Sequence, residues 1–352
     1  MIGPHAKVSI LVPTYNVADY LDQCLDSLAG QTLRDIEIVI IDDGSTDASG
    51  AIADKYAAKD KRFIVVHKEN SGYGDSMNQG LAIASAPWIA ICEPDDYAEP
   101  SMCEHLLRHA ERFSRAANPV DVVKASYTRV LVEQDGSTST LPSPFHEIVD
   151  PPHQPFSIDS CPALLTAHPS IWTALYRRAF LDEFGIRFRP IPGAGWADNP
   201  FFIETMLAAR RIAWLDEPVY NYREFEDGTI SHLKDWRIIV DRWAEMDGVF
   251  ERYDAKSPIL LEAHSVRGCA YLQMLNADFD RNDDELAFRA RKMAQSLDFN
   301  VIRHSSMISK EYKLAYARHL PSRKRLALFA SWTALQVRSV LRRLIPYNEA
   351  HV

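Results

Sequence analysis

The sequence predicts an α/β protein, a mainly parallel sheet flanked by helices and followed by a C-terminal helical region. Short apolar, β-branched runs alternate with amphipathic segments through the first 135 residues, the order that gives parallel strands joined by helical crossovers. From Asp235 onward the spacing is helical. The chain has 352 residues, 47% of them hydrophobic, enough for one large α/β domain or two smaller ones.

VSILVP (8–13) is the first strand, and Leu21, Cys24, Leu25 and Leu28 then repeat at the spacing of one helix face. IEIVIID (36–42) is the second strand, followed by a Gly-Ser-Thr-Asp turn and an Ala-rich helix over 47–58. FIVVHK (63–68) precedes a helix over 74–85, and WIAIC (88–92) precedes one over 99–113. VDVVKASYTRVLV (120–132) is the fifth strand. The Pro-rich stretch 142–169 lacks periodicity and reads as a long surface loop. SIWTALYRRAFLDEFGIRF (170–188) reads as a strand running into a helix, 198–209 as a second helix, and 212–215 and 219–223 as two short strands. These elements set a domain over 1–230, with halves 1–135 and 136–230, and a helical region over 231–352.

A net charge of −9 excludes a broad nucleic-acid surface. The charge is uneven, because residues 310–352 hold nine Lys and Arg against Glu311 and Glu349. The basic tail RKRLALFASWTALQVRSVLRRL (323–344) suits peripheral contact with an anionic membrane. It equally suits a helix that closes a bundle with its arginines in water. Five widely spaced cysteines (24, 92, 103, 161, 269) give neither a disulfide framework nor a zinc knuckle. MIGPHAKVSILVP lacks the apolar run of a signal peptide, and no stretch approaches the roughly 18–20 apolar residues of a membrane span. The expected location is cytoplasmic, at most peripheral on the inner face of the membrane.

In open α/β sheets ligands bind beyond the carboxyl ends of the strands, and the polar clusters fall there. ICEPDDYAEP (91–100) crowds Glu93, Asp95 and Asp96 together. Two unit charges about 4 Å apart repel by roughly 4 kcal/mol at an effective dielectric of about 20, so a cation is expected beside them. Mn2+ or Mg2+, which take carboxylates and substrate phosphates as ligands, fit. A solvated turn with Asp95 or Asp96 capping the next helix is the competing reading. Asp42 and Asp43 form a second acidic pair, able to accept from a nucleobase N–H, with capping by Ser45, Thr46 or Asp47 beside them. Pro13, Tyr15 and Asn16 offer an aromatic face and an amide to a base or ribose.

VSILVPTYN, the helix with Leu25-Asp26-Ser27-Leu28 and Gln31-Thr32, IVIIDDGSTD, ENSGYGDSMNQGL and EPDDY, in that order, resemble the nucleotide-sugar domain of family 2 glycosyltransferases, which have the GT-A fold. The likeness is strong over roughly 7–100 and looser to about 225. It implies that Pro13, Tyr15 and Asn16 line a nucleoside pocket, with Asn70, Gly72 and Asn78 from the third segment. It implies that Asp43 contacts uracil beside Asp42, that Asp95 lies near the ribose and sugar, and that Asp96 ligates the metal on the diphosphate. TALYRRAFL and GWADNPFFIE are similar to the family's acceptor side, which implies Asp198 as general base with Trp196 and Asn199 near the acceptor. The competing reading of Asp198 is an N-cap.

The chain departs from the family at Glu93, where many members have Asp, at Met77, where many have Arg, and at Ala197, where many have a second acid. It also lacks the Gln-x-x-Arg-Trp pattern of processive synthases. The resemblance therefore implies an inverting, metal-assisted transfer of one sugar from a nucleotide sugar, a UDP-sugar, to a saccharide or lipid-linked saccharide. A sugar nucleotidyltransferase is one alternative, although PTYNVADY has neither Gly nor Lys for a triphosphate loop. A degenerate sugar-nucleotide binder is another, although it has no need of Asp198. Lys68 and His67 are expected as exposed strand-end charges within reach of a diphosphate, His232 as an acceptor or phosphate contact, and Trp172 as core or a sugar platform.

Overall fold

Every residue of β1 (Val8–Thr14) and β2 (Ile36–Asp42) is buried, as expected of strands covered on both faces. With β3 (Phe63–His67) and β4 (Trp88–Ile91) they form a parallel run in the spatial order β3-β2-β1-β4. The crossovers carry α1 (Ala18–Ala29), α2 (Ser49–Lys59) and α3 (Tyr73–Ile83). One carboxylate is built into this core. Glu37 accepts from Ser9 Oγ at 2.5 Å, Ser85 N at 2.6 Å and Ser85 Oγ at 2.8 Å, which ties β1, β2 and the approach to β4 together.

This computed structural model describes residues 6–115, 118–146, 148–225, 235–279 and 283–330. It divides into two compact units, Met1–Lys234 with Gly248–Asp254, and Asp235–Asp247 with Ala255–Val352.

In the first unit the parallel run stops at β4, and the sheet continues as a mixed one. β5 (Tyr97–Ala98), α4 (Met102–Phe113), β6 (Val122–Val132), β7 (Thr138–Pro142), β8 (Ala174–Arg177), α5 (Arg178–Glu183), α6 (Asp198–Ala208) and β9 (Ile212–Phe225) follow in chain order. β8 lies antiparallel between β4 and β6, β9 runs parallel to β6, and β5 pairs antiparallel with β9. The two short strands expected at 212–223 are one strand. The charged turn at Asp216 and Glu217 is absorbed as register shifts against Ala125–Thr128, the behaviour of a bulge that leaves pairing intact on either side. β7 has no sequence signal, because all five of its residues are exposed and it holds only through its pairing with β6.

The stretch between β7 and β8 is irregular apart from short 3-10 turns. Lys124 anchors its end from beneath. The fully buried ammonium donates to Pro169 O, Ser170 O, Ser170 Oγ and Thr173 Oγ1 at 2.8–3.1 Å.

The second unit is helical, with α7 (Trp236–Arg252) reaching into it, then α8 (Pro258–Asp278), α9 (Asp284–Ser296), α10 (Phe299–His304) and α11 (Lys310–Ala317). Ser257, Asp283, Asp298 and Ser309 cap the last four by accepting first-turn amides. Trp243 stacks on His264 at 4.2 Å and lies over Gly268, where a Cβ would come within 2.8 Å of its ring. Among the described residues no helix is long and apolar enough to cross a membrane. Most of the basic tail, including Arg338 and Arg342, lies outside the described residues.

Candidate active site

In register, Thr14 faces Asp42 and Asp42 faces His67, so the loops leaving β1, β2 and β3 emerge side by side. A cleft of about 310 Å³ opens there. The β1 loop contributes Pro13 and the half-exposed ring of Tyr15, the β2 loop Asp43, and the β3 loop Asn70 and Gly72. Glu93 and Asp95 come from the β4 loop, Tyr73 and Ser76 from α3, and Gly193 and Ala194 from the approach to α6.

Asp43 is fixed on the wall of this cleft. Its carboxylate accepts from Ser71 N and Gly72 N, both at 2.9 Å, and pairs with Lys68. Gly72 has φ +95°, and a Cβ there would sit 2.2 Å from Ile191 O, so only glycine lets the chain pass this close. Lys68 is not an exposed charge. Its side chain is 9% exposed, held by Asp43, Ser71 and Asp75.

Three expected nucleotide contacts do not line the cleft. Asp42 turns away, accepting from Ser45 N at 3.0 Å and His67 Nδ1 at 2.7 Å, and these bonds hold its carboxyl below the usual range despite burial. His67 is thereby occupied, with Asp54 on its other nitrogen. Asn16, at φ +50°, accepts from Thr46 N at 2.8 Å and ties the β1 loop to the turn before α2. Asn78 clasps the Phe188 backbone, donating to its carbonyl at 2.9 Å and accepting its amide at 3.0 Å. Backbone groups claim the Asn16 and Asn78 amides, and the Ser45 amide and the His67 ring claim the two Asp42 oxygens.

Glu93 accepts from the Tyr73 hydroxyl at 2.6 Å, and its own amide donates to Tyr220 Oη at 2.9 Å. Burial, reinforced by Asp95 and Asp198, pushes its carboxyl up to about 8 against the Tyr73 bond. Asp95 is also raised by burial, with Arg223 opposing. Asp96 does not line the cleft and is 1% exposed. Its Oδ1 accepts from Arg223 N at 2.7 Å, while Oδ2 is buried with no hydrogen-bond partner among the described residues. Burial and the Asp95 charge hold it well above the usual carboxylate range.

Part of the cation expected here is Arg223, which the sequence reading missed. Its guanidinium lies over Tyr97 at 4.9 Å and Tyr20 at 5.4 Å and donates to Asp95 O. Tyr73 and Tyr220 were missed as well. Glycines flanking Tyr73 were a usable signal, whereas nothing local in YNYREF pairs it with EPDDY. Among the described residues no group of three or more His, Cys, Asp or Glu is arranged to hold a metal. His232 lies outside the described residues.

Asp198 opens α6, with Ala197 in the capping position, so the acid sits inside the first turn. Asn199, 6% exposed, donates from Nδ2 to Asp198 Oδ1 at 3.1 Å. The Asp198 charge bears on Glu93, Tyr73 and Tyr176. The loop before it, with Trp196 at φ +55°, is laid against the start of α3: Tyr73 N donates to Gly193 O at 3.0 Å, and a Cβ on Gly74 would fall 1.8 Å from Arg189 O. Trp172 belongs to the core, stacked on Tyr220 at 4.3 Å and Tyr222 at 5.1 Å.

The chain matches the model of "Glycosyl transferase family 2" over residues 9–185, from β1 through α5. It is 31% identical to the putative glycosyltransferase EpsH of Bacillus subtilis, over 89% of this chain and 79% of that protein. It is 34% identical to the uncharacterized glycosyltransferase EpsJ of the same organism over 62% of this chain, and spans 61% of that relative's length. In structure it is similar to S. aureus TarS residues 1–349 in complex with UDP, with a TM-score of 0.70 at 20% identity, covering 98% of this chain and 94% of that one. The sheet, its helices and the cleft-bearing half of the chain are thus accounted for by one lineage: this protein belongs to glycosyl transferase family 2 and is a glycosyltransferase with a GT-A-like fold.

Proposed function

We propose that the protein transfers a single sugar from a UDP-sugar to an acceptor hydroxyl with inversion, in polysaccharide or glycolipid assembly. The observation that carries this is the shared wall of one cleft. Asp43, Tyr15 and Asp95 stand where a nucleoside diphosphate would lie, and the loop leading into Asp198 supplies Gly193 and Ala194 to the same opening. TarS, similar in fold, has been crystallised with UDP and with UDP-GlcNAc, which supports the donor class. Family membership sets aside the nucleotidyltransferase.

The ring of Tyr15 offers a stacking face to the base, and the Asp43 carboxylate, already oriented by Ser71 and Gly72, accepts from it. Asp198 accepts the proton of the acceptor hydroxyl as that oxygen attacks the anomeric carbon; a positioned base contributes about 10²–10⁴-fold. Asp95 lines the cleft, and Asp96 next to it has one oxygen oriented and, among the described residues, the other buried without a donor, a pair that fits a divalent ion. Mn2+ or Mg2+ bound there would neutralise the departing diphosphate. The acceptor, a saccharide or lipid-linked saccharide, approaches from the side of Trp196 and Asn199.

Two measurements test this. A panel of nucleotide sugars screened for transfer and thermal stabilisation should single out a UDP-sugar. Asp198→Asn should lower kcat by about 10²-fold or more while UDP affinity stays within about twofold. Retained turnover, or lost UDP binding, would refute the base assignment.

A further inference from the structure

The second unit holds a cavity of about 640 Å³ between α8, α9 and the turn after α11, within the size range of ligand sites. Its floor is apolar, with Leu275, Leu286, Ala290 and Leu320 all buried. Its rim carries Arg291, Arg318 and Arg325, all exposed, and among the described residues no carboxylate lines it. Among the described residues none of these three forms an ion pair. Arg291 reaches Ala287 O at 3.0 Å, and Arg325 reaches Leu320 O at 3.1 Å and Arg318 O at 3.4 Å, all of them backbone carbonyls.

His319 lies among them, its Nε2 buried without a hydrogen-bond partner. Burial, helped by Arg291 and Arg318, pushes its imidazole down to about 4. By contrast Arg237 meets Glu285 and Arg289 meets Asp241.

We propose that this cavity binds a phosphate carried on an apolar stem, the phosphate at the arginine rim and the stem against the leucine floor. Guanidinium groups favour phosphate through paired, charge-assisted hydrogen bonds. The phosphate could be that of a soluble ester or the headgroup of a membrane lipid, and the test separates the two.

The full-length protein is titrated calorimetrically with dihexanoyl phosphatidate below its micelle concentration, with inorganic phosphate and with dihexanoyl phosphatidylcholine. Phosphatidate should bind at least about tenfold more tightly than inorganic phosphate, and phosphatidylcholine should not bind. It should also shift the His319 ring resonances. The Arg291→Gln, Arg318→Gln double variant should lose about tenfold or more in phosphatidate affinity. Its UDP affinity and melting temperature should be unchanged, which shows that fold and donor cleft are intact. Flotation of the wild type, but not the double variant, with phosphatidylcholine vesicles containing phosphatidate assigns the phosphate to a lipid. Absence of flotation alongside soluble binding assigns it to a free ester. Failure of phosphatidate to bind, equal binding by the double variant, or equal affinity for inorganic phosphate overturns the proposal.

Discussion

At Asp96 one carboxyl oxygen is oriented by the Arg223 amide and the other has no donor among the described residues. A buried polar oxygen left without a partner costs about 1–3 kcal/mol, and a bound cation would remove that cost. Asp96→Ala should therefore weaken UDP binding about tenfold in the presence of Mn2+ and leave it unchanged in EDTA, as read by calorimetry. If the wild type binds UDP equally in Mn2+ and in EDTA, the metal assignment is lost. Asp42, two strands away, shows how differently a neighbouring acid can be used. Its bonds to Ser45 and His67 serve the turn, and no free oxygen reaches the cleft.

Among the elements, the contact of the 189–197 loop with α3 brings the segment leading into Asp198 to the cleft. The helix can be approached this closely only because Gly72 and Gly74 lack a Cβ; at Gly74 the added carbon would fall 1.8 Å from Arg189 O, a backbone atom with no rotamer to yield. Gly74→Ala should push the loop off, lowering kcat/KM by about tenfold or more. Helix content should be preserved, since alanine is a better helix former than glycine by about 1 kcal/mol. Hydrogen exchange across residues 189–197 checks the displacement. Unchanged exchange with unchanged activity would show that the loop contact is dispensable.

Across the whole molecule, the histidines tie acid stability to particular segments. Burial lowers His264 and takes His319 down to about 4 in the second unit, and lowers His109 in the first. A lowered histidine contributes stability that is present above the unfolded value of about 6.5 and lost as pH falls through the folded value. Between pH 7 and 5 His319 alone accounts for about 2 kcal/mol, reduced to about 1 by its partial exposure. His67 in the first unit is raised by Asp42 and then Asp54, so its contribution is present below about 6.5 and lost as pH rises through its folded value. Hydrogen exchange over residues 258–320 should therefore speed up on acidification from pH 7 to 5, beyond any change in residues 36–67. Equal loss in both segments would contradict the assignment.

The sequence by itself determined the parallel strands, their crossovers and the acidic loops at the strand ends, because burial periodicity and turn chemistry are local. It also determined the family, through motifs whose order along the chain survives without coordinates. It could not show which way a polar side chain turns beside a loop: Asn16, Asp42 and Asn78 turned away from the cleft, while Asp43 stayed on its wall. Nor could it join Arg223 to EPDDY or make one strand of 212–225. Those outcomes depend on β9 pairing with β6 across about 90 residues and with β5 across more than a hundred, and pairing at such separations is decided only when the whole sheet closes.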